Sequence, residues 1–182
     1  MSGHDAGSLQ ASMKRVAAIL RENGVAYALA GSLAVWARGG PDVSHDVDFV
    51  ILPDDRERVL SLMADAGMRT EKPPPDWLYK AYDGDNLVDF IFAAPVGAIS
   101  TYIDNAEELV VESVRMPVMT VDDVLIMKIA AMSELYMDYA YLLQLARSTR
   151  EQINWEYIER VTKGSVFAEA FFLLAQGVGV RP

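Results

Sequence analysis

Three acidic side chains and one small-residue turn carry the chemistry open to this sequence. Gly31-Ser32 is followed fourteen positions later by Asp46-Val47-Asp48, and Asp89 stands alone inside Leu87-Val88-Asp89-Phe90-Ile91. Carboxylates at i and i+2 of a β-strand project from one face, about 7 Å apart at their Cα atoms. A third carboxylate on a neighbouring strand completes a pocket for a hard divalent cation such as Mg2+, which keeps water and substrate phosphate as its other ligands. A Gly-Ser turn that opens a helix presents backbone N–H groups to a phosphate. Cations beside a phosphate cradle are the equipment of nucleotidyl transfer. Two ions about 3.5–4 Å apart clamp the attacking and leaving oxygens of an in-line displacement. On this reading Asp46 and Asp48 bridge two Mg2+ ions and Asp89 holds the ion nearer the attacking hydroxyl and accepts its proton. Ser32 and the N–H groups after Gly31 hold the β- and γ-phosphates of an NTP.

Either motif alone says little. Asp-x-Asp on a strand arises by chance, and serine before a helix is simply a good cap. The surroundings sharpen the combination. Asp46 and Asp48 lie among Val47, Phe49, Val50 and Ile51, and Asp89 lies among leucine, valine, phenylalanine and isoleucine. Like charges on a buried strand repel and resist desolvation, and a cation removes that penalty.

The elements that position these residues follow from periodicity. Leu9, Met13, Val16, Ala17 and Leu20 make a helical stripe over Ser8–Asn23, ended by Gly24. Ala26–Ala30 reads as a short buried strand, Ser32–Arg38 as a helix stopped by Gly39-Gly40-Pro41, and His45–Leu52 as a second strand. A helix runs from Pro53 to Ala66, ends at Gly67, and precedes a stiff loop at Lys72–Pro75. Trp77–Tyr82 and Leu87–Ala93 flank Asp83-Gly84-Asp85-Asn86, a strong hairpin turn. Leu109–Val114 and Met116–Met119 read as further strands. Thr120-Val121-Asp122-Asp123 resembles a capping box, and from there to Gln176 the pattern is that of three or four helices. The expected organisation is a mixed-sheet α/β core over 1–119 and a helical subdomain over 120–182, with a soft boundary and the active site in the cleft between them.

Composition sets the outer limits. The chain has 182 residues, 52% hydrophobic and 23% charged, which is ordinary globular usage. A chain of this length buries roughly 70% of its unfolded surface. The net charge of −10 and the lack of a Lys/Arg cluster disfavour a general nucleic-acid binder, which neutralises phosphates with a basic surface. Cysteine is absent, which fits a reducing compartment, and a cytoplasmic location is expected. No apolar run approaches the ~20 residues of a membrane span. Residues 1–8 lack the features of a signal peptide and are expected to fray.

The stretch 28–52, with Gly31-Ser32, Arg38 and Ser44-His45-Asp46-Val47-Asp48-Phe49-Val50-Ile51, together with Asp89, resembles the DNA polymerase β-type nucleotidyltransferase superfamily. It looks most like the AbiEii-like branch, which includes toxins of toxin–antitoxin pairs. There a Gly-Gly or Gly-Ser helix carries an Arg before the acidic pair, a Lys follows a Leu-rich helix start and an Asp comes about ten residues on; Arg38, Lys128 in Ile126-Met127-Lys128 and Asp138 in Met137-Asp138-Tyr139 occupy those places. The resemblance covers about residues 25–145. It implies the polymerase β-like nucleotidyltransferase fold and Mg2+-dependent transfer of a nucleoside monophosphate to a hydroxyl acceptor, which is a small molecule, a protein or tRNA. It also implies an antitoxin partner if the chain is a toxin. Arg38 and Lys128 would bind nucleotide phosphates. A catalytically silent nucleotide-binding module is the alternative outside enzymology. Ala130–Met137 carries no basic residue and Glu134 adds a negative charge, which counts against a polyanionic acceptor such as tRNA.

Several residues support two interpretations. Lys128 is a phosphate contact or a snorkelling surface lysine. Asp138 pairs with Lys128 in an orienting role or caps a helix. Lys80 and Tyr82 face the site or a solvated sheet edge. Tyr136, Tyr139 and Tyr141, read as one helix, line an acceptor cleft or pack against neighbouring helices. Ser44-His45-Asp46 is contiguous, so its members cannot align as nucleophile, base and orienter.

Overall fold

The computed structural model describes residues 6–41, 45–74 and 76–182. Residues 1–5, within the segment expected to fray, lie outside the described residues, as do Ser44 and Pro75; residues 6–8 already belong to the first helix. Helix α1 (Ala6–Glu22) buries Leu9, Met13, Val16, Ala17 and Leu20, the stripe read from the sequence. Gly24 closes it with φ +64°, and Val25 N–H reaches back to the Leu20 carbonyl. Strand β1 (Tyr27–Leu29) and helix α2 (Gly31–Ala37) follow, then β2 (Val47–Ile51). One 3-10 turn at Pro53–Asp55 leads into α3 (Arg56–Asp65). Strands β3 (Arg69–Glu71), β4 (Leu78–Asp83) and β5 (Asn86–Ile91), helix α4 (Ile99–Asp104) and strands β6 (Glu107–Val111) and β7 (Val114–Val118) complete the first part. Four helices finish the chain: α5 (Val121–Ala130), α6 (Tyr139–Ser148), α7 (Trp155–Val161) and α8 (Val166–Gly177).

The strands form one mixed sheet in the order β3-β4-β5-β2-β1-β7-β6. β2 runs parallel to β5 and β1 parallel to β7, while the other neighbours are antiparallel. Phe49 and Phe90 stack at 6.2 Å across the central parallel pair. Both are fully buried, as are Met13 and Leu20 of α1, which packs on β2 and β5. The hydrophobic cluster continues without a break through α5 into α8, from Leu9 to Val180. Helix α5 packs against α2, α7 and α8, and its apolar residues run nearly all round it.

The structure departs from the sequence expectation at the second hairpin. The strand expected over Leu109–Val114 is broken by a turn at Glu112 and Ser113, which take φ values of +48° and +68°. Such turns usually announce themselves with asparagine or glycine, and this one has neither. β3 and α4 were not anticipated at all. Each cap that starts a C-terminal helix is a short polar side chain: Thr120 accepts from the Asp123 N–H, Asp138 from Tyr141, Asn154 from Tyr157 and Ser165 from Ala168. The Asp123 carboxylate accepts from Asn105 and Tyr157. Among the described residues no helix is long and apolar enough to cross a membrane.

Candidate active site

Register brings the acidic residues into one row. Asp48 pairs with Asp89 across β2/β5, and Asp89 pairs with Lys80 across β4/β5. Directly paired residues project from the same face of a sheet. Asp46 precedes the first residue of β2 by one position and joins the row at i−2 from Asp48. Asp46, Asp48 and Asp89 each offer one carboxylate oxygen, and these oxygens all lie within 4.8 Å of one another. Three carboxylate oxygens from two neighbouring strands are a donor set suited to a hard divalent cation.

The turn that starts α2 abuts this row. Gly31 has φ +61°, and a Cβ placed on it would come within 1.8 Å of Asp48 Oδ2. Backbone conformation and space therefore both demand glycine there. The Ala30 N–H donates to the Asp48 carbonyl at 2.8 Å, which fixes the turn to β2. Ser32 is buried, and its hydroxyl lies beside that of Tyr141.

Electrostatics mark the row as strained without a counter-ion. Burial, then the charge of Asp46, push the Asp48 carboxyl up to about 7; Asp89 adds to this, while Lys128 and Lys80 oppose it. Burial also raises Asp89 above the usual carboxylate range, against the hydrogen bond and charge of Lys80. Burial raises Tyr141, opposed by Ser32 and reinforced by Asp48 and Asp46. A bound cation would stabilise the ionised carboxylates and reverse these shifts.

Lys128 of α5 approaches the row from the helical side. It shares the wall of a cavity of about 200 Å3 with Gly31 and Asp48, and its ammonium lies 4.9 Å from the centre of the Tyr141 ring. The remaining walls are largely apolar, with Ile91, Met127 and the half-exposed Trp77 among them. On its other side Lys128 borders a second, smaller cavity lined by Tyr136, Asp138 and Tyr141.

Two expected site residues are engaged differently. Arg38 was read as a phosphate ligand, but its guanidinium is fastened to the backbone: Nε donates to Met119 O at 2.7 Å, Nη2 to Val118 O at 2.9 Å, and Nη1 to Glu107 at 2.7 Å. Its position near the Gly-Ser turn in sequence does not direct it to the carboxylates, because it leaves the far end of α2 and meets the end of β7. Asp138 caps α6, its Oδ1 accepting from the Tyr141 N–H at 3.0 Å, and no ion pair joins it to Lys128 among the described residues. The three tyrosines also separate. Tyr136 lies in the loop before α6, Tyr139 donates to Phe167 O in helix packing, and of the three Tyr141 lies beside Ser32. Tyr82 serves the sheet edge, with Arg69 over its ring and its hydroxyl on Glu71.

Lys80, given two readings from sequence, is in the row: its Nζ lies 3.0 and 3.2 Å from the two oxygens of Asp89. The hairpin turn already contained this pairing. With Asp83 opposite Asn86, counting three residues outward from the turn along each strand sets Lys80 opposite Asp89. Trp77 was not singled out, because nothing local distinguishes it from a core tryptophan.

No family model matches the sequence, and no curated protein matches it. Solved structures do match in three dimensions. ANT(2'')-Ia, an antibiotic-resistance factor, superposes with a TM-score of 0.65 at 15% identity over 95% of this chain and 96% of its own. The lincosamide antibiotic adenylyltransferase LnuA gives 0.57 at 14% identity over 76% of this chain and 96% of its own. A nucleotidyltransferase-like protein from Paracoccidioides brasiliensis gives 0.52 at 14% identity over 94% and 89%. The chain therefore has the mixed α/β fold of the polymerase β-like nucleotidyltransferases.

Proposed function

We propose that this protein transfers a nucleoside monophosphate from an NTP to a hydroxyl acceptor with release of pyrophosphate, and that Mg2+ is the cation it uses. The observation that carries the proposal is the convergence of Asp46, Asp48 and Asp89 beside the Gly31-Ser32 turn. Similarity of fold to adenylyltransferases supports it.

Asp46 and Asp48 would hold the cations, and Asp89 would share the one nearer the acceptor. Bound there, divalent ions supply charge neutralisation at the transferred phosphate. Ser32 and the N–H groups following Gly31 would hold the β- and γ-phosphates, with Lys128 as a further phosphate contact from the other wall of the cleft. The acceptor oxygen forms its bond to the α-phosphorus as the bond from that phosphorus to the bridging oxygen breaks. The hydroxyl proton passes to Asp89, the carboxylate nearest the acceptor oxygen, and pyrophosphate leaves past Ser32 and Lys128. Positioning and charge neutralisation then account for most of the rate.

For the acceptor we favour a small molecule. The net charge is −10 and no basic residue lies over Ala130–Met137, so a polyanion such as tRNA finds little to hold it. ANT(2'')-Ia has been crystallised with adenylyl-2''-tobramycin and LnuA with lincomycin, both small molecules. The same electrostatics disfavour a tRNA-modifying toxin of the AbiEii-like branch with an antitoxin partner. The deciding experiment incubates the protein with labelled NTP, Mg2+ and a cell extract, and follows both pyrophosphate release and the fraction that takes up label. Asp46→Asn is expected to abolish transfer with its melting temperature preserved. Wild-type turnover in that variant would refute the assignment.

A further inference from the structure

We infer that Lys80 sets how many divalent cations the acidic row takes up before nucleotide arrives, by occupying Asp89 with its own ammonium. The inference rests on the metal-dependent reading above. Lys80 contacts both oxygens of Asp89 at 3.0 and 3.2 Å, and the side chains are only 22% and 10% exposed. The pair is fixed by strand register. Asp46 and Asp48 have no such partner: no Lys or Arg forms an ion pair with either among the described residues. Lys128 acts on Asp48 from a distance while its ammonium sits over the Tyr141 ring.

The row is thus asymmetric. Its Asp46–Asp48 end carries two carboxylates that repel each other with no ion-pair partner among the described residues, which favours a first cation there. Its Asp89 end is already neutralised, so a second cation must share or displace a fixed positive charge. A lysine stem is long and flexible, so the ammonium can swing off Asp89 without movement of the strand. Nucleotide phosphates supply further ligands and negative charge, and these tip the exchange toward the second ion. Lys80 is accordingly a positioning residue that keeps the proton-accepting carboxylate out of cation binding until substrate is in place.

The test measures Mn2+ uptake by the full chain without nucleotide, from the electron paramagnetic resonance signal of free Mn2+, for wild type, Lys80→Met, Lys80→Arg and Asp46→Asn. The wild type is expected to take up one ion. Lys80→Met should gain a second, or bind at least tenfold more tightly at the weaker position, whereas Lys80→Arg should behave as wild type and Asp46→Asn should lose the first ion. Melting temperatures establish that each variant is folded. Unchanged uptake in Lys80→Met overturns the inference and leaves the metal-dependent reading standing. Weaker uptake overturns it too, because Lys80 would then be orienting Asp89 for the cation. Absence of saturable uptake by wild type and Lys80→Met alike, with and without ATP, overturns both.

Discussion

Asp123 and Asp48 are both inward-facing carboxylates near one end of a helix, yet their surroundings are opposite. Asp123 is completely buried, and its two oxygens accept from the Tyr157 hydroxyl and the Asn105 amide, each at 3.1 Å. It sits in the first turn of α5, where the helix dipole favours negative charge. Asp48 instead faces Asp46, Asp89 and the backbone of Gly31. One carboxylate is satisfied by neutral donors and joins α4, α5 and α7. The other is raised to about 7 by burial and by its acidic neighbours. A carboxylate with its donors supplied serves the fold, whereas one surrounded by its own kind is completed by something from solution.

That contrast can be broken by exchanging what each residue loses. Asp48→Asn is expected to lower nucleotidyl transfer by at least 10^3-fold, about 4 kcal/mol of transition-state stabilisation, with the metal-free melting temperature unchanged or higher. Asp123→Ala should do the reverse. It leaves the Asn105 and Tyr157 donors without a partner and costs about 3 kcal/mol in urea unfolding, with transfer per folded molecule preserved. Equal losses of stability from the two substitutions would dissolve the distinction.

The pH dependence sharpens it. The folded pKa of Asp48 lies above its unfolded value of about 3.9, so between the two the native state binds more protons and stability falls as pH rises. The stabilisation from protonated Asp48 is fully present below about pH 4 and is lost as pH passes through about 7, on the order of 4 kcal/mol in all. Saturating Mg2+ at pH 8 should restore much of it, and Asp48→Asn should leave only the part of the slope that comes from Asp89. Denaturant titrations across this range with and without Mg2+ provide the measurement. A smaller effect is expected at the turn: Gly31→Ala forces a Cβ into φ +61° and against Asp48, costing about 1–2 kcal/mol and weakening Mn2+ uptake by displacing that carboxylate.

Much of this was legible before any coordinates. The helical stripe of α1, the strands carrying Asp48 and Asp89, and the hairpin at Asp83–Asn86 are local patterns, and local patterns survive folding. β3 escaped because Arg69-Thr70-Glu71 is a short polar edge with no alternation to detect, and α4 because six residues give too few periods. The Glu112-Ser113 turn escaped because its backbone conformation is imposed by the β6/β7 pairing rather than by residue type. At the site, the acidic row could be read from spacing. Arg38 could not, because its partners at Val118 and Met119 lie some eighty positions away in sequence and only the meeting of α2 with β7 brings them together.

That same arginine fixes the shape of the cleft. Arg38 ends the helix that begins at Gly31, and it grips the carbonyls just before α5, the helix that bears Lys128. Gln152 then clasps the Arg38 carbonyl from the turn before α7. The two helices that bring small-residue backbone and lysine to the carboxylates are thereby riveted to one frame, and their spacing is set before any substrate arrives. Accommodation of differently sized acceptors then falls to the opposite wall, where Trp77 and Ala93 flank the ends of their strands and no comparable rivet crosses the gap among the described residues.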